Sequence, residues 1–80
     1  MDIKTYVEKR STEIKKGSPE THADIVANIL SDGEEHYAAE LNRAAGWRFG
    51  AAIFNLRKRG IEIKTIRPAD GNHFKYQLDE

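Results

Sequence analysis

The hydrophobic residues of the N-terminal segment recur with the period of an α-helix. In a helix over residues 2–16, one side would carry Ile3, Tyr6, Val7, Arg10 and Ile14. Lysine and glutamate occupy most of the other positions, so the pattern predicts an amphipathic helix that ends at Gly17. Because its apolar stripe is narrow, we expect this helix to pack on the rest of the chain or on a partner chain.

A second helix with a broader apolar face is predicted next. Residues 18–20, Ser-Pro-Glu, are typical of a helix start, with an N-cap serine followed by a proline and an acidic residue in the first turn. The apolar face takes Ala23, Ile25, Val26, Ala27, Ile29 and Leu30. The Asp-Gly pair at 32–33 signals a turn, so we expect the helix to end near Ser31. Residues 35–37, Glu-His-Tyr, then predict a short extended piece.

Two further helices are predicted on either side of a glycine turn. Residues 38–45, AAELNRAA, favour a short helix that Gly46 ends, and residues 48–59 favour the next one. The buried side of that last helix takes Phe49, Ala52, Ile53 and Leu56. We expect Trp47, at the turn between them, to bury its ring against a neighbouring helix; the alternative is that it forms an exposed platform.

The C-terminal segment changes from a helical period to alternation. Apolar residues alternate with polar ones on both sides of the turn-rich stretch 68–72, PADGN. Residues 61–78 therefore predict an antiparallel hairpin. We expect Phe74 and Tyr76 to belong to the core; the alternative is that they stack on bases.

The order of these elements matches a helix-turn-helix followed by a wing. Residues 38–59 fit a helix pair in which the second helix lies in a DNA major groove and the first braces it. The segment IFNLRKRGIEIKT at 53–65 resembles the winged helix-turn-helix domains, in particular the small phage and prophage type, over about residues 20–78. The resemblance implies an α+β fold with a three-helix core and a C-terminal β-hairpin wing. We divide the chain into an extra N-terminal helix at 1–17 and a winged helix-turn-helix domain at 18–80.

Composition limits the classes of function. The 80 residues suit one domain without a deep enzyme cleft, and the absence of cysteine excludes a disulfide framework and a thiolate nucleophile. Residues 1–40 carry five Lys/Arg and nine Asp/Glu, a net −4, whereas residues 41–80 carry eight against four, a net +4. Between Arg43 and Lys75 the count is eight basic to two acidic, a local basic surface of the kind that a polyanion could use; the alternative is an ordinary solvated surface.

Three consecutive cations end the predicted 48–59 helix, directly before Gly60. Helix capping would explain one or two of Arg57, Lys58 and Arg59. Their number suggests that they also contact phosphates and so position the helix on DNA. On the hairpin, Lys64, Arg67 and Lys75 would add phosphate or minor-groove contacts; the alternative is a charged edge that deters strand pairing.

A helical projection identifies the residues that could read DNA. At 100° per residue, Arg48, Ala51, Asn55 and Lys58 fall opposite the buried side. Arg48 and Asn55 have the hydrogen-bonding geometry to read guanine and adenine edges, and Gly50 and Ala51 would allow close approach. The alternative is that these two small residues only permit tight helix packing. The predicted DNA-binding residues are Arg43, Arg48, Ala51, Asn55, Arg57, Lys58, Arg59, Lys64, Arg67 and Lys75.

These residues predict sequence-specific binding of double-stranded DNA by a transcriptional or architectural regulator, of phage or bacterial kind by resemblance. We expect a cytoplasmic protein that forms a homodimer, because the N-terminal apolar stripe needs covering and paired half-sites enlarge the contact surface. The alternative is a winged-helix adaptor that binds protein, such as a phage-encoded inhibitor of a host factor, through its acidic half.

Signals for other functions are weak. His22, His36 and His73 lack the spacing or carboxylate support of a metal site. No nucleotide-binding loop or nucleophile motif is present, so we expect no enzyme activity, no cofactor and no metal. The apolar runs are too short to span a membrane.

Overall fold

The chain combines α-helices with a small antiparallel sheet. The computed structural model describes residues 2–69, 71 and 73–79. The helices are α1 (Ile3–Lys15), α2 (His22–Leu30), α3 (Ala38–Ala45) and α4 (Phe49–Lys58), and a 3-10 turn at Gly46–Arg48 joins α3 to α4. The strands are β1 (His36–Tyr37), β2 (Ile63–Ile66) and β3 (Lys75–Leu78). The predicted α+β class is confirmed, and the arrangement is compatible with a winged helix.

A capping box sets the start of α2. The hydroxyl of Thr21 accepts the N–H of Asp24 at 3.3 Å, while the Asp24 carboxylate accepts the N–H of Thr21 at 2.8 Å. The prediction that residues 18–20 cap this helix is wrong. The N–H of Ser18 donates instead to the carbonyl of Glu13 at 3.0 Å, so these residues close α1 and connect it to α2.

The sheet includes the short strand that precedes α3. Within the described residues its strand order is β1-β3-β2, and every pairing is antiparallel. The predicted hairpin and the predicted extended piece are therefore confirmed. The pairing of the two was not predicted, and it places Tyr37 opposite Lys75. Positions 70 and 72 of the predicted turn lie outside the described residues.

The core lies where α1, α2, α3, α4 and the start of β2 meet. Its buried side chains are Ile3, Tyr6, Ala23, Val26, Ala27, Leu30, Leu41, Ala45, Ala52, Ile53, Leu56, Ile61 and Ile63. Ile3 and Tyr6 belong to α1 and are only 1% and 3% exposed, so α1 packs on its own chain. The apolar stripe of α1 is thus no longer a reason to expect a homodimer.

Two aromatic side chains predicted to be buried are exposed. Trp47 is 79% exposed, because the 3-10 turn directs its neighbours Ala45 and Phe49 toward the core and leaves the indole outside. Phe74 is 38% exposed, because it precedes β3 near the end of the hairpin. Tyr76 is partly buried against the core, and its ring meets that of Phe49 edge-on at 6.1 Å.

Candidate nucleic-acid interface

A groove of about 750 Å³ runs between α1 and the outward face of α4. Its α1 wall comprises Tyr6, Lys9, Arg10 and Glu13. Its α4 wall comprises Ala51, Ala52, Asn55 and Lys58 of the helix with the residues that flank it, Arg48 and Arg59. Thr21, which caps α2, and the first two residues of that helix, His22 and Ala23, also line the groove. We refer to it as the α1–α4 groove. It brings the face predicted to read DNA next to the N-terminal helix.

The α1–α4 groove concentrates positive charge. Its cations are Lys9, Arg10, Arg48, Lys58 and Arg59. Among its described lining residues the only carboxylate is that of Glu13. Because the whole chain carries 13 Lys/Arg and 13 Asp/Glu, this local excess means that acidic groups are concentrated elsewhere. The described lining residues of the groove therefore carry a net positive charge.

The outward face of α4 is not needed for packing. Arg48, Ala51, Asn55 and Lys58 are exposed, whereas Ala52, Ile53 and Leu56 are buried on the other side. Apart from its chain neighbours and the nearby backbone of its own helix, a Cβ atom built on Gly50 would meet no described atom within 4 Å. The alternative that Gly50 and Ala51 only permit tight helix packing is therefore wrong. Their small size leaves space for a ligand to approach the helix backbone.

The polar groups on this face remain available to a ligand. The side chain of Asn55 makes no hydrogen bond with the described residues. The Arg48 guanidinium lies 4.9 Å from the ring centre of Trp47, and the Lys58 ammonium lies 5.7 Å from that of Phe54. Such cation–π contacts orient a cation without neutralising it. Both cations can still meet an anion.

Arg57 braces α4 against β2. Its Nε and Nη2 donate to the carbonyl of Ile63 at 3.1 and 2.7 Å, and Nη2 also donates to Thr65 Oγ1 at 3.1 Å. The two cations that follow Arg57 line the groove instead. The three consecutive cations at the end of α4 therefore have different partners, and Arg57 acts within the protein.

A buried carboxylate holds α1 against α2. Asp24 accepts hydrogen bonds from Tyr6 Oη at 2.8 Å and from Nε and Nη2 of Arg10, each at 2.9 Å. Burial alone would raise the pKa of Asp24, but these hydrogen bonds and that from Thr21 outweigh it and lower the pKa to about 2. This network was not predicted, although the Thr-x-x-Asp capping pattern at 21–24 was a signal of it.

His36 lies between two carboxylates beyond the other end of α2. Its Nδ1 is 2.9 Å from Glu40 Oε2, and its Nε2 is 2.9 Å from Asp32 Oδ1. The prediction that the histidines lack carboxylate support is wrong for His36, because β1 places its ring between the end of α2 and the first turn of α3. Burial works to lower the pKa of His36, but the two carboxylates raise it overall. Within the described residues no group of His, Asp or Glu is arranged to hold a metal ion.

The structure divides the predicted DNA-binding residues into two sets. Those brought together in the groove are Arg48, Ala51, Asn55, Lys58 and Arg59; those outside it are Arg43, Arg57, Lys64, Arg67 and Lys75. Lys75 lies 3.8 Å from the Glu35 carboxylate and 4.8 Å from the ring centre of Tyr37. Arg43 lines a smaller concavity beside Glu40. The two other hairpin cations are exposed.

Comparisons with models of protein families, with curated protein sequences and with solved structures give no match to this chain. No helix in the part of the chain that the structure describes is long and apolar enough to cross a membrane. The assignment of function therefore depends on the residues and contacts of the chain itself.

Proposed function

We propose that this protein binds double-stranded DNA, with α4 as the recognition helix and the β2–β3 hairpin as a wing. The observation that carries the proposal is the outward face of α4 together with Arg48 directly before it. Arg48, Ala51 and Asn55 are exposed and line a groove rich in cations. Helix-turn-helix proteins present such a helix to the major groove. The function is that of a transcriptional or architectural regulator of the phage or bacterial kind that the sequence resembles, and two copies on paired half-sites remain a prediction.

Each exposed group on α4 has a counterpart on a base edge. An asparagine amide forms two hydrogen bonds with adenine, an arginine forms two with guanine, and an alanine methyl packs on the methyl of thymine. Asn55, Arg48 and Ala51 supply these three groups. The open space beside Gly50 lets the helix backbone come close to the bases.

Phosphate contacts would hold α4 in place. Lys58 and Arg59 lie beside the reading face, and Lys64 and Arg67 are exposed on the wing. Arg57 and Lys75 already have partners within the protein, so we expect fewer phosphate contacts than the number of basic residues suggests. About four contacts would make log affinity fall against log salt concentration with a slope of about −3.6.

A salt series tests the proposal. The affinity for a fluorescently labelled duplex of mixed sequence is measured by anisotropy at increasing salt concentration. We expect binding at low salt and a slope of about −3 to −5. A flat salt response, or no binding at low salt, would contradict DNA binding.

A protein-binding adaptor is the second candidate, and two observations favour it. The exposed carboxylates Asp32, Glu34, Glu35 and Glu40 follow the end of α2 that is farther from the groove. Trp47 and Phe54 are 79% and 61% exposed, and large exposed aromatic residues often anchor protein interfaces. The adaptor predicts no affinity for DNA at low salt, so the same salt series separates the two functions.

A further inference from the structure

The α1 wall of the α1–α4 groove presents a cation that the recognition-helix proposal does not use. This wall consists of Tyr6, Lys9, Arg10 and Glu13, whose spacing of three, four and seven residues places them on one face of α1. Tyr6 is buried, and Arg10 is bonded to Asp24. Lys9 is exposed and makes no hydrogen bond or ion pair with the residues that the structure describes. Its ammonium is free to meet a ligand in the groove.

The two walls are fixed relative to each other before any ligand binds. Ile3 and Tyr6 anchor α1 in the core, and the Tyr6 hydroxyl donates to the buried carboxylate of Asp24. The guanidinium of Arg59, at the end of α4, lies 5.4 Å from the ring centre of Tyr6. A cation held on a packed helix loses less conformational freedom on binding than one on a loose arm. The helix backbone that carries Lys9 is therefore held in place beside the groove.

The charges of the groove suit a row of phosphates. Arg10 is paired with both Asp24 and Glu13, so its charge is compensated. The groove cations without a carboxylate partner among the described residues are Lys9, Arg48, Lys58 and Arg59. An acidic loop that contains Asp32, Glu34 and Glu35 follows the far end of α2, a helix of nine residues and about 13.5 Å in length. A polyanion in the groove would thus lie away from that loop.

The dimensions of DNA connect this wall with the proposed reading mode. A helix with its side chains is about 10–12 Å across and the major groove is about 12 Å wide, so both DNA backbones closely flank a recognition helix. A wall that rises beside α4 therefore meets one of those backbones. We propose that one sugar-phosphate strand of the duplex runs in the α1–α4 groove, where Lys9 contacts its phosphates from the side opposite Lys58 and Arg59. This inference rests on the proposed DNA binding and adds α1 to the interface.

Substitution of Lys9 tests the inference, with Lys4 as the matched control. Lys4 is also an exposed lysine of α1, but it does not line the groove. We expect Lys9→Ala to reduce the magnitude of the salt slope by about one and to weaken binding roughly eightfold at 0.1 M salt, on mixed and preferred duplexes alike. Lys9→Glu should weaken binding further. The corresponding Lys4 variants should change neither quantity, and every variant should melt at the temperature of the parent.

The other outcomes distinguish this inference from the function on which it rests. If the parent binds duplex DNA and the Lys9 variants behave like the parent, the strand does not run in the groove, although DNA binding stands. Equal losses of DNA affinity in the Lys9 and Lys4 variants would indicate long-range attraction between the protein and DNA, and would also overturn the proposed contact between Lys9 and the phosphates. Tighter binding of a single strand than of the duplex with the same sequence would make the single strand the occupant. A parent that binds no DNA would overturn both proposals.

Discussion

The charge of Asp24 should be a large contributor to the stability of the fold, and Asp24→Asn removes it at nearly constant volume. The parent carboxylate accepts hydrogen bonds from Tyr6, Arg10 and Thr21. An asparagine offers one acceptor oxygen and an NH2 group, so at least one of the Arg10 donors would lose its acceptor. The substitution therefore weakens the contact that holds α1 against α2.

Two contributions set the expected loss in the free energy of unfolding of Asp24→Asn. The pKa of Asp24 falls from its ordinary value of 3.8 to about 2, a difference of about two units, which corresponds to about 2.5 kcal/mol in favour of the ionised folded form. Because the side chain of Arg10 is 18% exposed, solvent screens part of this, and we expect about 1–2 kcal/mol. A buried donor left without an acceptor adds about 1–3 kcal/mol. The total of about 2–5 kcal/mol is a large part of the roughly 4–12 kcal/mol typical of a domain this size.

Urea unfolding measures this loss. At neutral pH the free energy of unfolding of Asp24→Asn should be about 2–5 kcal/mol below that of the parent. The free energy of unfolding of Asp79→Asn, at an exposed aspartate, should stay within about 0.5 kcal/mol of the parent value. Because folding lowers the pKa of Asp24, its contribution is complete above the ordinary value of 3.8 and is lost as the pH falls toward 2. The gap between parent and variant should therefore narrow below about pH 4. A variant as stable as the parent, or a gap that does not change with pH, would refute this account of the network.

The other internal contacts give three further expectations. Since the carboxylates around His36 raise its pKa, the pairing of His36 with them stabilises the fold below the ordinary pKa of 6.5, and this stabilisation is lost as the pH rises through the raised pKa. The free energy of unfolding of the parent should therefore exceed that of His36→Gln by more at about pH 6 than at about pH 9. A difference that is the same at both pH values would contradict this. Arg57→Ala should lower the free energy of unfolding by about 1–2 kcal/mol without changing the salt slope of DNA binding. Lys58→Ala should change the salt slope without changing the free energy of unfolding. If the two variants had similar effects, the assignment of Arg57 to the fold and of Lys58 to DNA would be wrong. Trp47→Ala should change the free energy of unfolding by less than about 0.5 kcal/mol, because the indole is 79% exposed, and a larger loss would mean that it covers the core.

Local periodicity was sufficient to predict the helices, the hairpin and the buried side of α4. Burial of one helix face is repeated over several turns, so a single misplaced residue does not change the result. Single residues at junctions have no such repetition. Trp47 lies in a 3-10 turn, where successive side chains turn through about 120° rather than 100°, and its direction could not be obtained from an α-helical projection. Before α2, the sequence has two patterns that can begin a helix, one at residues 18–20 and one at Thr21. Only the second forms a capping box, in which the backbone N–H groups of Thr21 and Asp24 both find an acceptor.

The groove could not be predicted because it depends on contacts between distant residues. The Asp24 network joins side chains 14 and 18 positions apart, and no helical or strand period relates them. The separate partners of Arg57 and Arg59 likewise depend on where β2 and α1 pack, although both residues belong to one run of cations. The sequence pattern was sufficient to identify the outward face of α4. That α1 forms the other wall of the groove depends on tertiary packing.

The most direct test of the central proposal compares Arg48→Ala and Asn55→Ala on two DNA duplexes, one preferred by the parent in selection from a randomised pool and one of mixed sequence. Arg43→Ala and Asn42→Ala, at exposed positions of α3 outside the groove, are the matched controls. Variants that keep the melting temperature of the parent should lose about 1–3 kcal/mol of binding free energy on the preferred duplex and much less on the mixed one, while the controls show no such selective loss. If folded Arg48→Ala and Asn55→Ala proteins bind the preferred duplex as tightly as the parent, α4 is not a recognition helix.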